Sequence, residues 1–151
     1  MRASRRQLSL LPPSPRRGVK APPALEFLTH VALADAMRRG MTPGWVWTHF
    51  PAGEKRPGHI DKKTGKWRSP AAERLKRMGL KKGWSDFLLV SPEGQLHCLE
   101  LKRGDADLTY EQEVFRKDMI RCGVPHAVAH SFMEAVAIMT GWGAIRITVT
   151  A

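Results

Sequence analysis

Residues 83–112 read GWSDFLLVSPEGQLHCLELKRGDADLTYEQ, and the expected architecture follows from the order of elements in this segment. Residues 86–90 form a short apolar run, residues 91–94 form a turn, and residues 95–102 form a second run with strand character. Two such runs joined by a short turn predict a β-hairpin. A capping-box pattern at the start of residues 109–122 then predicts a helix over that range, closed by a glycine.

The second strand of this hairpin carries leucines on one face and charged groups on the other. Side chains alternate between the two faces of a strand, so Leu99 and Leu101 point one way while Glu100 and Lys102 point the other way. The hairpin places Asp86 at the start of the neighbouring strand, within reach of the charged face. Two converging carboxylates repel each other unless a cation neutralises them, and such oxygen ligands suit Mg2+. The alternative is an ordinary exposed, salt-bridged face of an edge strand.

The rest of the chain alternates helices and strands around this segment. A helix over residues 24–39 is apolar on most of its sides, and we therefore expect it to be largely buried. The alternation predicts an α/β domain with a mixed central sheet flanked by helices. The other expected elements are a strand at 45–50, a long loop at 51–68, a helix from Ser69-Pro70 to about Met78, a strand at 127–130, a helix opened by Ser131 and a last strand at 144–149.

The hairpin and the following helix resemble the PD-(D/E)XK nuclease superfamily, and more narrowly its virus-type replication-repair (VRR-NUC) branch. The similar residues are Asp86, a spacer of thirteen residues, Glu100-Leu101-Lys102 and the downstream Gln112. The resemblance implies a restriction-endonuclease-like core and an endonuclease that depends on Mg2+, for which Mn2+ can substitute. It implies that Asp86, Glu100 and the carbonyl of Leu101 bind the metal. It also implies that Asp86, Glu100, Lys102 and Gln112 form the catalytic set.

Some positions near this pattern have two interpretations. Gln112 is the last residue of the capping box and could serve only to close the helix end, although its helical stripe points at the sheet. Glu26 and His30 either reach the site from the first helix or form a buried polar pair. The other histidines show no metal-ligand spacing. Ser85 occupies the position of the proline in the superfamily name, and we expect this change to affect only the turn.

Charge indicates the partner. The formal net charge is +11, which favours a polyanion, and we expect DNA, including branched or structured forms. Residues 1–22 are expected to be a disordered basic tail before a nuclease domain at 23–151. The tail is expected to add only non-specific affinity. The loop is expected to hold the DNA backbone through Lys55, Arg56, Lys62, Lys63, Lys66 and Arg68.

The remaining sequence features set the context. No apolar run is long enough to span a membrane, and Cys98 and Cys122 form neither a metal-ligand pair nor a disulfide framework, so a cytoplasmic protein is expected. The resemblance implies phage or bacterial DNA repair, replication or processing, and we favour a homodimer whose two sites act on two strands. The competing hypotheses are an inactive nucleic-acid-binding module of the same fold and a protein-interaction partner whose basic charge is incidental.

Overall fold

The computed structural model describes residues 23–51 and 56–146, with side chains from residue 27 onward. The expected tail and the end of the expected last strand lie outside the described residues. Within them, Ile145 forms an isolated antiparallel bridge with Met41. The described elements, in chain order, are α1 (Pro23–Gly40), β1 (Val46–His49), β2 (His59–Ile60), β3 (Trp67–Arg68), α2 (Pro70–Arg77), β4 (Phe87–Val90), β5 (Leu96–Leu101), α3 (Tyr110–Arg121), β6 (His126–Ala129) and α4 (Phe132–Gly141).

The main sheet is mixed and has the strand order β1-β4-β5-β6. β1 and β4 pair antiparallel, as do β4 and β5, whereas β5 and β6 pair parallel. A parallel pair needs a crossover connection, and the chain makes it through α3. The predicted mixed α/β arrangement is therefore confirmed. The edge-strand alternative for β5 is wrong, because β5 lies between β4 and β6 and Glu100 is only 3% exposed.

Helices cover both faces of this sheet. On one face, Leu33 and Met37 of α1 and Met139 of α4 join Phe87 and Leu99 in the buried core. On the other face, Phe115 of α3 contacts Trp84 at 4.7 Å and His126 at 5.9 Å between ring centroids. Because β5 is buried from both sides, its charged residues have no access to bulk solvent except at the strand end.

The expectation that α1 is largely buried is wrong. Leu33 and Met37 are fully buried, but Phe27, Leu28 and Val31 are exposed. Only the stripe that faces the sheet is covered, since the described residues provide no further layer on the outer side of α1. None of the helices in the described ranges combines the length and apolar character needed to cross a membrane.

The segment expected to be an open loop contains a small two-stranded antiparallel sheet. His59 pairs with Arg68 and Ile60 pairs with Trp67, which makes a hairpin of residues 59–68. Asp61 shapes its turn, because its Oδ1 accepts from the backbone N–H groups of Lys63 (2.8 Å) and Thr64 (3.2 Å). We call residues 59–68 the basic hairpin.

Candidate active site

The hairpin of β4 and β5 brings the predicted carboxylates to one end of the sheet. Phe87 pairs with Leu99, so Asp86 lies just before this pair and across from Glu100. The backbone N–H of Phe50 donates to the carbonyl of Asp86 at 2.7 Å, which extends the β1–β4 ladder to this residue. The backbone of Asp86 is thus held on the β1 side and directly precedes the paired residues of β4 and β5.

The carboxylate of Asp86 is fixed by β5. Its Oδ2 accepts a hydrogen bond from the backbone N–H of Leu101 at 2.8 Å. This bond spans the hairpin and aims the carboxylate at the end of β5. The sequence predicted that Leu101 contributes its carbonyl to a metal, and that role stays a prediction. The structure shows instead how the amide of the same residue orients Asp86.

Glu100, Lys102 and Gln112 form one hydrogen-bonded group. Nε2 of Gln112 donates to Oε1 of Glu100, and Nζ of Lys102 donates to Oε1 of Gln112 at 2.6 Å. The ammonium of Lys102 also lies 3.5 Å from Oε1 of Glu100. The amide of Gln112 therefore links the carboxylate and the ammonium.

The side chain of Gln112 takes part in the cap of α3 as well as in the contacts with Glu100 and Lys102. Its Oε1 also accepts from the backbone N–H of Thr109 at 2.9 Å, and its own N–H donates to Oγ1 of Thr109 at 3.3 Å. This reciprocal pair is a complete capping box at the start of α3. One side chain therefore caps α3 and also forms hydrogen bonds with the charged residues at the end of β5.

Gly83 lets α3 approach this closely. Gly83 has a φ of +86°, and a Cβ built there would lie 2.3 Å from the carbonyl oxygen of Glu111 and 2.8 Å from the backbone nitrogen of Gln112. The chain before Asp86 therefore runs directly against the first turn of α3. Only glycine fits the space and the backbone conformation at this contact.

Electrostatics in the group disfavour two free carboxylates. Burial and the charge of Asp86 raise the pKa of Glu100 to about 8, and the nearby Lys102 only partly offsets them. Burial also raises the pKa of Asp86, against the lowering effect of the Leu101 amide. A positive charge beside the two carboxyls would favour their ionised forms.

A cleft lined in part by Lys102 adjoins the site. It has a volume of about 100 Å³ and is lined by Thr29 and His30 of α1, by the residues after β5 and by the turn between β6 and α4. Arg103, the next residue in the chain, also lines it, and its Nη1 is buried without a hydrogen-bond partner in the described structure. The cleft is therefore basic on the β5 side.

The residues predicted to hold DNA belong to the segment between β1 and α2, outside the β4–β5 hairpin that carries Glu100. Lys62, Lys63 and Lys66, which we call the hairpin lysines, are exposed on the basic hairpin. Arg68 is exposed too, but its Nε lies 3.0 Å from Oδ2 of Asp61. Arg56 donates to the carbonyl of Pro51 at 3.2 Å. Lys55 and the side chain of Glu26 lie outside the described residues.

Two features of the site, the positions of His49 and Ser85, were missed by the sequence reasoning. His49 lies beside Asp86 together with His30, for which the sequence left open a place near the site, and ligand atoms of the three residues lie within 4.8 Å of one another. Ser85 is fully buried and its Oγ lies 2.9 Å from Nε2 of His126 on β6. This hydrogen bond links the residue before Asp86 to β6, an edge strand of the sheet. Neither contact has a local sequence signal, because each joins elements that are distant in the chain.

Comparison with known proteins supports the fold. No protein-family model matches the sequence, and no curated protein matches it. Among solved structures, the chain is similar to a VRR_NUC domain protein with a TM-score of 0.57, at 16% identity, over 81% of this chain and 96% of that chain. The restriction-endonuclease-like fold expected from the resemblance is confirmed. At this level of identity the likeness shows the fold alone.

Proposed function

We propose that the protein is a nuclease that hydrolyses DNA phosphodiester bonds with a bound divalent cation, Mg2+ or Mn2+. The observation that carries the proposal is the convergence of Asp86, Glu100 and Lys102, with Gln112, at one sheet end. The shared fold with a VRR_NUC domain protein supports it. The predicted role in phage or bacterial DNA repair, replication or processing is part of this proposal, as is a homodimer.

The residues present fit a divalent cation. Asp86 and Glu100 offer carboxylate oxygens, and burial together with their mutual repulsion raises the pKa of Glu100. A bound divalent cation supplies Lewis-acid polarisation of a phosphate and lowers the pKa of a coordinated water. We assign Asp86, Glu100 and the Leu101 carbonyl to hold it.

Lys102 serves two functions in this proposal. Its Nζ is anchored by Gln112 and lies 3.5 Å from Glu100, so the ammonium stays next to the carboxylate instead of extending into solvent. From there it orients the attacking water and offsets negative charge that develops on the phosphate. Lys102 also lines the adjoining cleft, through which we propose that the phosphate approaches.

Gln112 is a positioning residue for this pair. It holds Glu100 and Lys102 by opposite ends of one amide, so that neither side chain can turn away without breaking a hydrogen bond. Its attachment to the helix cap ties the site to the packing of α3.

DNA is the substrate that fits the charge. The chain carries +11, and the hairpin lysines are exposed, with no ion pair found for them in the described part of the chain. The segment that leads to the basic hairpin leaves the sheet at His49, whose ligand atom lies within 4.8 Å of that of Asp86. Trp67 is 63% exposed on the same hairpin and can stack on an unpaired base. We therefore assign contacts with the DNA backbone to Lys55, Arg56 and the hairpin lysines. Arg68 also contacts the DNA backbone in this proposal, while its side chain remains paired with Asp61.

The test is digestion of a panel of linear, branched and circular DNAs with Mg2+, Mn2+, Ca2+ or chelator. We expect cutting with Mg2+ or Mn2+, no cutting in chelator, and inhibition by Ca2+, which binds carboxylates but positions water poorly. Cutting of covalently closed circles identifies an endonuclease.

Variants complete this test. Lys102→Ala and Glu100→Gln are expected to lose cleavage, while Lys117→Ala, an exposed lysine of α3, keeps it. Full activity of the Lys102 variant, in protein free of contaminating nuclease, would rule out this site as the catalytic centre. DNA binding without cleavage in any metal would favour the inactive binding module.

A further inference from the structure

A second group of side chains that could hold a metal includes Asp86 but not Glu100. His30 of α1, His49 at the end of β1 and Asp86 each offer a ligand atom, and these atoms lie within 4.8 Å of one another. Nε2 of His30 lies 3.9 Å from Oδ2 of Asp86. The three residues are half-buried, so the group opens to solvent on one side.

The core holds the two imidazoles in place. Phe87 is fully buried, and its ring centroid lies 5.7 Å from that of His30 and 5.4 Å from that of His49. The two histidine rings lie 5.2 Å apart at an angle of 60°. Each ring therefore has an apolar support on one side and its neighbour on the other.

The register of the strands separates this group from Glu100. His49 pairs with Phe87, and both contact α1 through His30. Glu100 instead contacts Gln112 of α3, which packs on the opposite face of the sheet. Asp86 directly precedes β4 and is the one residue that both groups share within the described structure.

The donor set differs in chemistry from the carboxylate pair. Two imidazole nitrogens and one carboxylate suit first-row transition ions, whereas Mg2+ and Ca2+ prefer all-oxygen sites. Metal–nitrogen bonds of about 2.0–2.1 Å place neighbouring ligand atoms roughly 3.0–3.4 Å apart. The 3.9 Å between His30 and Asp86 is close to that spacing, and a small side-chain rotation closes the difference.

We propose that His30, His49 and Asp86 bind one first-row transition-metal ion in a site that shares Asp86 with the carboxylate pair but does not use Glu100. Three protein ligands leave coordination positions for water or a phosphate oxygen. This proposal does not depend on nuclease activity, because binding can be measured without DNA.

The experiment titrates Co2+ into the full chain, freed of any histidine tag, and follows visible absorption and calorimetric heat. We expect one Co2+ per chain for the wild type and for Glu100→Gln, displaced by Zn2+ but not by Mg2+. His30→Gln and His49→Gln are expected to weaken binding by about tenfold or more. His59→Gln, an exposed histidine of β2, is the matched control and binds like the wild type.

Two results would overturn the proposal. One is unchanged Co2+ affinity in both His30→Gln and His49→Gln. The other is loss of the ion in Glu100→Gln alone, which places it on the carboxylate pair. Should a histidine variant fail to fold by circular dichroism, Zn2+-induced shifts of the histidine ring nitrogen resonances in the wild type replace it, because a diamagnetic ion shifts chiefly the nitrogens that it coordinates. Large shifts for His30 and His49 but not His59 support the site, and equal shifts of all three contradict it.

Discussion

Glu100→Gln is expected to stabilise the metal-free protein at alkaline pH while removing its activity. Glu100 is 3% exposed, and burial with the Asp86 charge raises its pKa from 4.5 to about 8. Between pH 4.5 and about 8, the Glu100 carboxyl has lost its proton in the unfolded state but keeps it in the folded state. The folded state therefore binds more protons, and the free energy of unfolding falls as pH rises from about 4.5 to about 8.

The size of the effect follows from the same difference. Each pH unit in the window costs about 1.4 kcal/mol, so the total reaches on the order of 5 kcal/mol. This is an upper limit, because local relaxation and water penetration accommodate part of the charge. It is still comparable with the whole free energy of unfolding of a small domain. A neutral amide at residue 100 keeps the size of the side chain and removes this pH dependence.

The assay is urea unfolding in chelator at pH 5, 6, 7 and 8, repeated with Mn2+. We expect the wild type to lose stability with pH in chelator and to regain it with Mn2+, since the cation replaces the proton. Glu100→Gln should show a flatter profile, and the exposed Glu73→Gln of α2 should follow the wild type. A Glu100→Gln profile as steep as that of the wild type would refute the reasoning.

Gln112→Ala should lower cleavage by about 10- to 100-fold as the partner of Glu100 and Lys102. Thr109→Ala disrupts the same helix cap as Gln112→Ala and should destabilise the protein by a similar ~1 kcal/mol, yet it should keep most of the activity. An equal loss of cleavage in the two variants would mean that Gln112 acts only as a capping residue. Gly83→Ala should destabilise the fold and lower kcat, since its Cβ would lie 2.3 Å from the first turn of α3, and wild-type melting and turnover would contradict this. Neutralising the hairpin lysines should weaken DNA binding and flatten its salt dependence by about 0.9 log units per lost phosphate contact. Deleting residues 1–20 should instead leave the rate of single-turnover cleavage largely unchanged. The opposite pair of results would assign the substrate contacts to the tail.

The β4–β5 hairpin and the helix after it were accessible from the sequence because their signals are local. Alternation placed Glu100 and Lys102 on one face, a turn fixed which strands pair, and capping residues marked the start of α3. These patterns depend on backbone geometry within a few residues of each other. The family resemblance then attached a role to each position, and the fold it implied is confirmed.

Local pattern failed where burial depends on which other elements are present. The apolar character of α1 predicted burial on most sides, but only the Leu33 and Met37 stripe meets the sheet. The loop between β1 and α2 gave no strand signal, yet Asp61 and a two-residue register suffice to make the basic hairpin. Short pairings of this kind are fixed by turn contacts and not by hydrophobic periodicity.

The sequence by itself determined the mixed α/β class, the shared face of Glu100 and Lys102, the place of Asp86 across the hairpin and the place of Gln112 at the start of α3, since alternation and capping act over short distances. Only the tertiary structure decided that Gln112 links Glu100 to Lys102 and that His30 and His49 stand beside Asp86. The physical reason is packing. Phe87 draws α1 and the end of β1 together on one face, while Gly83 admits α3 on the other. The spacing of residues along the chain does not indicate which side chains come into contact when the helices pack on the two faces of the sheet.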